Sequence, residues 1–252
     1  MNIRVLGCSG AELPGHNPPA FLVDQRILLD AGTIGAVLDQ QEQEELDLIV
    51  VTHAHLDHIR GIPSLADNLA VAGSRRKVVV AGLREVIDAL RKHLLNNAIW
   101  PDFSAIPTVE EAVLGFLELE PERELRWGAY SLTLCPVNHC VPAAGILLRH
   151  GGSSLVYTGD TGPTGRIWQM METIDALIIE VSFANHLESL ALAAGHLTPR
   201  LLARELEKIG ELPGRILITH PKPRLLPQIE RELAELSIPG LSILTDGCMF
   251  EV

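Results

Sequence analysis

The sequence predicts an α/β fold in which two mixed sheets pack face to face with helices on their outer faces, a four-layer αββα sandwich. Three observations carry this. Apolar, β-branched runs recur along all 252 residues, with helical periodicities interspersed among them. Several of the runs end in a side chain able to hold a metal ion, as expected where strand ends gather at one edge of a sheet. No low-complexity stretch, Ser/Gly-rich linker or short-period repeat interrupts the chain, so residues 1–252 read as a single domain.

The elements follow in order. Strands are expected over Ile3–Leu6, Ala20–Asp24, Ile27–Leu29 and Leu46–Thr52. A helix follows His58, then the strand Lys77–Ala81. Leu83–Leu95 repeats Val86, Ile87, Leu90, Leu94 and Leu95 on one helical side. Asn96–Pro107, with two prolines and two aromatics, is irregular. Strands resume over Val113–Leu119, Tyr130–Val137, Ala144–Leu148 and Ser154–Thr158. A helix near Arg166–Glu172 leads to the strand Ala176–Val181, and the helix Thr198–Ile209 to the strand Arg215–Thr219. The helix Leu225–Leu236 and the strands Ser242–Leu244 and Cys248–Val252 close the order.

Composition narrows the function. A hydrophobic fraction of 47% suffices for a large core, and with only 4% aromatics Leu, Val, Ile and Ala must fill it. The net charge of −12 argues against a protein that wraps nucleic acid, whose surface would be striped with basic residues. The densest basic string is Arg75-Arg76-Lys77, read as a solvated loop. A small phosphorylated substrate stays open, because divalent ions reverse the local field. No apolar run is long enough to span a membrane, and Met1–Gly7 reads as a first strand rather than a signal peptide, so a cytoplasmic protein is expected. Cys8, Cys135, Cys140 and Cys248 lack CxxC spacing and read as thiols.

The chemistry centres on Thr52-His53-Ala54-His55-Leu56-Asp57-His58, directly after the apolar run Leu46–Val51. Burying three imidazoles and a carboxylate together requires a compensating ion. If the strand continues, His53 and His55 share a face, while Asp57 and His58 project from a turn; that suits two neighbouring ions. Other strands run into His139, Asp160, His220 and Asp30. His53, His55 and His139 are assigned to one ion, Asp57, His58 and His220 to a second, and Asp160 to the bridge. A hydroxide between the ions completes both shells. Zn²⁺ suits this nitrogen and oxygen set, and Mn²⁺ or Fe²⁺ fits as well. Asp30 orients an imidazole from behind, or else caps a turn. His16, His93, His150 and His186 lie outside any ligand spacing.

The HxHxDH string at His53–His58 resembles that of the metallo-β-lactamase superfamily. Within it the chain is similar to class II 3′,5′-cyclic-nucleotide phosphodiesterases: His53-Ala54-His55-Leu56-Asp57-His58 with Gly61 three further on, Trp100-Pro101-Asp102-Phe103, Gly159–Pro163, Ile179-Glu180-Val181-Ser182-Phe183, Gly195-His196-Leu197-Thr198-Pro199 and Thr219-His220-Pro221-Lys222-Pro223. These pieces span nearly the whole chain. The Cys8–Leu13 loop departs from the family's glycine-rich one, and no serine follows His139 closely.

The resemblance implies a metallo-β-lactamase-like fold and hydrolysis of a cyclic nucleotide, cAMP or cGMP, to the 5′-monophosphate, with the ion-bridging hydroxide as nucleophile. His196 is the expected acid for the leaving 3′-oxygen, and Asp57 both binds metal and orients the nucleophile. Trp100 and Phe103 are candidate stacking platforms for the base, or pack a loop. Asn96 is a candidate for the base or sugar, with helix capping equally natural; Thr198 and Lys222 complete the expected substrate contacts. Superfamily resemblance alone suggests a homodimer. The rival readings are a tRNA 3′-processing nuclease, for which no basic arm is visible, and a thioester or lactone hydrolase on the same fold.

Overall fold

The computed structural model describes residues 1–74, 76–170 and 173–252. The first half of the chain forms β1 (Asn2–Gly7), β2 (Ala20–Val23), β3 (Ile27–Leu29), α1 (Gln40–Glu44), β4 (Leu48–Val51), α2 (Leu56–Ile59), α3 (Gly61–Val71), β5 (Val78–Gly82), α4 (Arg84–Ala89) and β6 (Leu114–Glu118). The second half forms β7 (Glu124–Trp127), β8 (Tyr130–Pro136), β9 (Ala144–His150), β10 (Ser153–Tyr157), α5 (Arg166–Met170), β11 (Ala176–Glu180), α6 (Glu188–Ala194), α7 (Pro199–Leu206), β12 (Arg215–Thr219), α8 (Leu226–Leu236) and β13 (Leu241–Ile243). A last strand, β14 (Met249–Glu251), crosses back to pair with β1.

The first half with β14, and the rest of the second half, therefore build two seven-stranded mixed sheets, ordered β14-β1-β2-β3-β4-β5-β6 and β13-β12-β11-β10-β9-β8-β7. In the first, β3 to β6 are parallel and the rest antiparallel. In the second, β10 to β13 are parallel and the rest antiparallel. The period-2 alternation of strand side chains explains the layers. In β10, Leu155 and Tyr157 join the core shared with the first sheet, while Val156 joins a second cluster on the opposite face. β11 divides the same way, Ile178 inward and Leu177 and Ile179 outward. The outward residues pack under Trp168 of α5, Leu201 and Leu202 of α7, and Ile229 and Leu233 of α8. Leu65 and Leu69 of α3 with Val86 and Ile87 of α4 cover the first sheet. The Phe21 and Tyr157 rings, 4.9 Å apart and edge to face, join the sheets at the centre.

The expected elements recur with small differences. The helix expected over Leu83–Leu95 divides into α4 and a wider turn at Leu90–Leu94. Of the helix expected over Arg166–Glu172, Arg166–Met170 is present and residues 171–172 lie outside the described ones, as does Arg75 of the basic string. β7 was not expected: its alternation of Glu124 and Arg126 with Leu125 and Trp127 is the charged pattern of a sheet edge. The expected α7 begins on a Thr198 cap with Pro199 in its first turn. All four cysteines are free. No helix among the described residues is long and apolar enough to cross a membrane.

Candidate metal centre

β4 is a buried, β-branched strand that stops at Val51, two residues short of His53. The cause is Thr52: its backbone N–H donates to Asp30 Oδ1 at 2.8 Å instead of to a neighbouring strand. His53 and His55 therefore lie in a loop, and the shared face expected from strand alternation is a correction to make. His55 is the N-cap residue of α2, whose single turn carries Asp57 and His58.

The second half supplies the rest. His139 follows β8, Asp160 follows β10 and His220 follows β12. His53, His55, His139 and Asp160 form one group, and Asp57, His58 and His220 another, the ligand atoms of each within 4.8 Å of one another. Asp160 lies between the groups. Its Oδ2 is 3.7 Å from His53 Nε2 and 3.4 Å from His58 Nε2, and its Oδ1 is 3.4 Å from His220 Nε2. Two backbone features permit this approach. His220 adopts a left-handed φ of 64°. Gly159 has a φ of 59°, and a Cβ there would meet Thr52 at 2.8 Å.

The structure itself tests whether ions belong here. His53 Nε2, His58 Nε2 and Asp160 Oδ1 are buried without a hydrogen-bond partner among the described residues. Leaving such groups unpaired costs roughly 1–3 kcal/mol each. Their convergence on one place is what a divalent cation would satisfy.

Behind the ligands lies a buried polar network. Asp30 accepts from His58 Nδ1 at 2.7 Å, from the Tyr157 hydroxyl at 2.7 Å and from Thr52 Oγ1 at 2.9 Å. Anchoring Nδ1 turns Nε2 of His58 toward Asp160. His139 is held the same way, its Nδ1 donating to Gly195 O at 2.9 Å. On the other side Ser182 Oγ lies 2.8 Å from His220 Nδ1 and 2.9 Å from Glu180 Oε2. One hydroxyl thus accepts from the ligand and donates to the carboxylate.

Glu180 also accepts from His196 Nδ1 at 2.7 Å, and the His196 ring stacks on His220 with centroids 5.5 Å apart. Asp160, His196 and His220 form a third close group. Burial pushes the His196 pKa down, but the Glu180 carboxylate outweighs it and holds the pKa above the usual histidine value. For His53, His55 and His139 burial prevails, aided by neighbouring imidazoles, and favours the neutral, ligating form. At His58 burial is outweighed by Asp160 and Asp30, which raise its pKa well above normal. At Asp160 burial is outweighed by His220 and His58, which hold the carboxyl well below the usual range. A cation taking up this site would replace the proton that Asp160 and Asp30 favour on His58.

The sequence alone assigns no role to Glu180, Ser182 or Tyr157. Glu180 obeys the rule that located the ligands, an apolar strand ending in a carboxylate, so its signal was present. Tyr157 carried none, since an apolar strand accommodates a tyrosine for packing alone.

The expected substrate contacts fare differently. Phe103 is 4% exposed inside the main core and presents no face to a base, so the packing alternative holds. Asn96 is spent on its own turn: Oδ1 accepts from the N–H groups of Ala98 and Ile99, and Nδ2 donates to Lys92 O. Thr198 is buried and accepts from Leu201 N as a helix cap. Lys222 Nζ donates to Gly10 O, tying two loops together. Trp100 is 37% exposed, with its Nε1 donating to Pro63 O at the start of α3.

Comparison with known proteins places these features. The model of the Beta-lactamase superfamily domain matches residues 25–220. A probable 3′,5′-cyclic-nucleotide phosphodiesterase of Yersinia pestis is 27% identical; the match covers 72% of this chain and 58% of that protein, so the chain spans little more than half of that relative's length. A Ribonuclease Z of Pyrobaculum calidifontis is 28% identical, covering 87% of this chain and 86% of its own. Among solved structures, the metallo-beta-lactamase fold protein YhfI of Bacillus subtilis superposes with a TM-score of 0.80 at 21% identity, over 99% of this chain and 98% of that one.

Proposed function

We propose that this chain, which belongs to the beta-lactamase superfamily, is a dinuclear metal-dependent phosphodiesterase that opens 3′,5′-cyclic nucleotides to nucleoside 5′-monophosphates. It is a metal-dependent hydrolase by family and by ligand set. The observation that carries the finer reading is the His196–Glu180 pair stacked against His220, at the edge of two ligand groups joined by Asp160. An ester whose leaving group is an alkoxide needs a proton at that oxygen, and His196, whose pKa the Glu180 carboxylate raises, is the group at hand to supply it. The name of the Yersinia pestis relative supports a cyclic substrate, as does the acid balance of −12.

Two divalent ions bound to this set would activate water and offset charge on the phosphoryl oxygens. The protein's own contributions are distinct. Asp30 and Ser182 fix the ring orientations of His58 and His220. Glu180 favours the charged form of His196 by accepting from Nδ1, which leaves Nε2 as the atom to carry a transferable proton. Trp100, alone among the expected contacts, keeps an exposed ring for a base. Zinc as the resident ion, a cytoplasmic location and a homodimer belong to the same reading, the first suggested by the nitrogen and oxygen ligand set, the second by the sequence and the third by the family resemblance alone.

A second reading, a ribonuclease, is favoured by the Pyrobaculum calidifontis relative, whose length the chain nearly spans. Product analysis separates the two. Metal-loaded protein is incubated with cAMP, cGMP, a linear RNA and a thioester. The expected outcome is the 5′-monophosphate from a cyclic nucleotide with the RNA intact; RNA cleavage without cyclic-nucleotide turnover would establish the second reading.

The pH profile supplies a further check. Glu180 raises the His196 pKa, so Glu180→Gln lowers it. A general acid works while protonated and fails as pH rises through its pKa, so the alkaline limb of kcat should move to lower pH in this variant. The measurement is kcat against pH at equal metal content, and an unmoved alkaline limb refutes the assignment.

A further inference from the structure

His220 holds its left-handed backbone just beyond β12, a conformation that is strained for any residue except glycine. Such strain persists only where the surroundings over-determine it. Here the surroundings are the segment Cys8–Gly10, which follows β1 of the other sheet. The His220 N–H donates to Cys8 O at 2.6 Å, and Thr219 Oγ1 donates to the same oxygen at 3.2 Å. The Gly10 N–H donates to Pro221 O at 3.0 Å. Gly10 lies so near the imidazole that a Cβ there would meet His220 Nδ1 at 2.7 Å.

Cys8–Gly10 is itself a loop and needs an anchor. Asp246, between β13 and β14, supplies it. Its Oδ1 accepts from the Cys8 N–H at 3.1 Å and from Cys8 Sγ at 3.4 Å, and its Oδ2 accepts from the Asn17 N–H at 2.8 Å. Asn17 O in turn accepts from the Ser9 N–H at 2.9 Å. A carboxylate suits this place better than an amide. Both of its oxygens face N–H donors, and an asparagine would turn its NH₂ group toward one of them.

The loop that carries Asp246 is fixed on both sides. The Leu244 N–H donates to Ile218 O, two residues before His220, at 2.9 Å. The Gly247 N–H donates to Val5 O of β1 at 2.7 Å, and Cys248 O accepts from the Val5 N–H at 2.9 Å. Asp246 thus bridges the two sheets beside His220. It belongs to none of the ligand groups formed by the described residues, so metal binding does not account for it.

We infer that Asp246 is a positioning residue for the second ion. It fixes Cys8, whose carbonyl holds His220 in the left-handed turn that brings Nε2 within 3.4 Å of both Asp57 Oδ2 and Asp160 Oδ1. The inference rests on the two-ion reading of the centre.

The test compares full-length wild type with Asp246→Asn. At saturating Zn²⁺, amide hydrogen exchange is followed by NMR. The His220 N–H should exchange roughly 10-fold faster in the variant, while the amides of β11 keep their protection. In chelator competition wild type should bind two zinc ions. The variant should hold one as tightly as wild type and the other roughly 10-fold more weakly. Equal weakening of both ions with faster exchange throughout β11 would make Asp246 a general stabiliser and overturn the inference. Two unchanged affinities would overturn it as well. If the variant does not fold, Asp246→Glu, which keeps both acceptor oxygens on a longer arm, goes through the same two measurements with the same criteria. Fewer than two ions in wild type, with the His220 amide still loosened in the variant, overturns the two-ion reading and leaves the clamp on His220 standing.

Discussion

Replacing His196 with alanine should lower kcat on a cyclic nucleotide by roughly 100- to 1000-fold, the usual worth of a positioned general acid, while two ions remain bound. The two groups joined by Asp160, His53 with His55 and His139, and Asp57 with His58 and His220, are complete without His196, so the ligand set stays intact. Glu180 in turn keeps Ser182 and the N–H groups of Thr161 and Leu197 as donors, so the variant does not strand a bare carboxylate. The decisive comparison is a substrate whose leaving group needs no proton. Against bis(p-nitrophenyl) phosphate the loss should be small, because p-nitrophenolate departs without an acid. An equal loss on both substrates, or a loss of metal, would assign His196 a structural role instead.

The second large effect is expected at Asp160. Asp160→Asn preserves volume and one acceptor but removes the charge that faces His53, His58 and His220 at 3.4 to 3.7 Å. Elemental analysis should find about one ion or fewer per chain, because the two groups lose the ligand they share. Hydrolysis should fall to background with it. Two ions retained in Asp160→Asn would remove the aspartate from the bridge and leave each group self-sufficient.

Both variants concern residues that the sequence alone could reveal, and the reason is specific. A ligand at the end of an apolar strand announces itself, since burial of that strand commits the next polar side chain to the sheet's edge. His139, Asp160, His220 and Glu180 all obey this rule, and the His53–His58 string needs no rule at all. What was illegible depends on side chains meeting through space. Tyr157 looks like core filling until its hydroxyl is found on Asp30, 127 positions away in sequence. Asn96 and Thr198 offered the right chemistry for a substrate, yet each satisfies neighbours within a few residues, as short polar side chains at helix ends commonly do. Phe103 had the right ring, but burial cannot be read from an irregular loop. The strand expected over Leu46–Thr52 does not continue into His53 and His55 because Thr52 turns to Asp30, the residue just beyond β3.

The division of the ligands between the two sheets has a consequence for how the protein comes into being. His53, His55, Asp57 and His58 belong to the first half, and His139, Asp160 and His220 to the second. Neither half can bind an ion in its working geometry alone. The two are stitched together where the N–H of His220 donates to Cys8 O and where β14 returns to β1. Such distant pairings form late in folding, after the loop-closure entropy has been overcome. Hydrolytic power therefore arrives only with the finished molecule. A chain whose halves have not docked lacks a complete ligand group, and ions that bind the docked state alone would draw the folding equilibrium toward it.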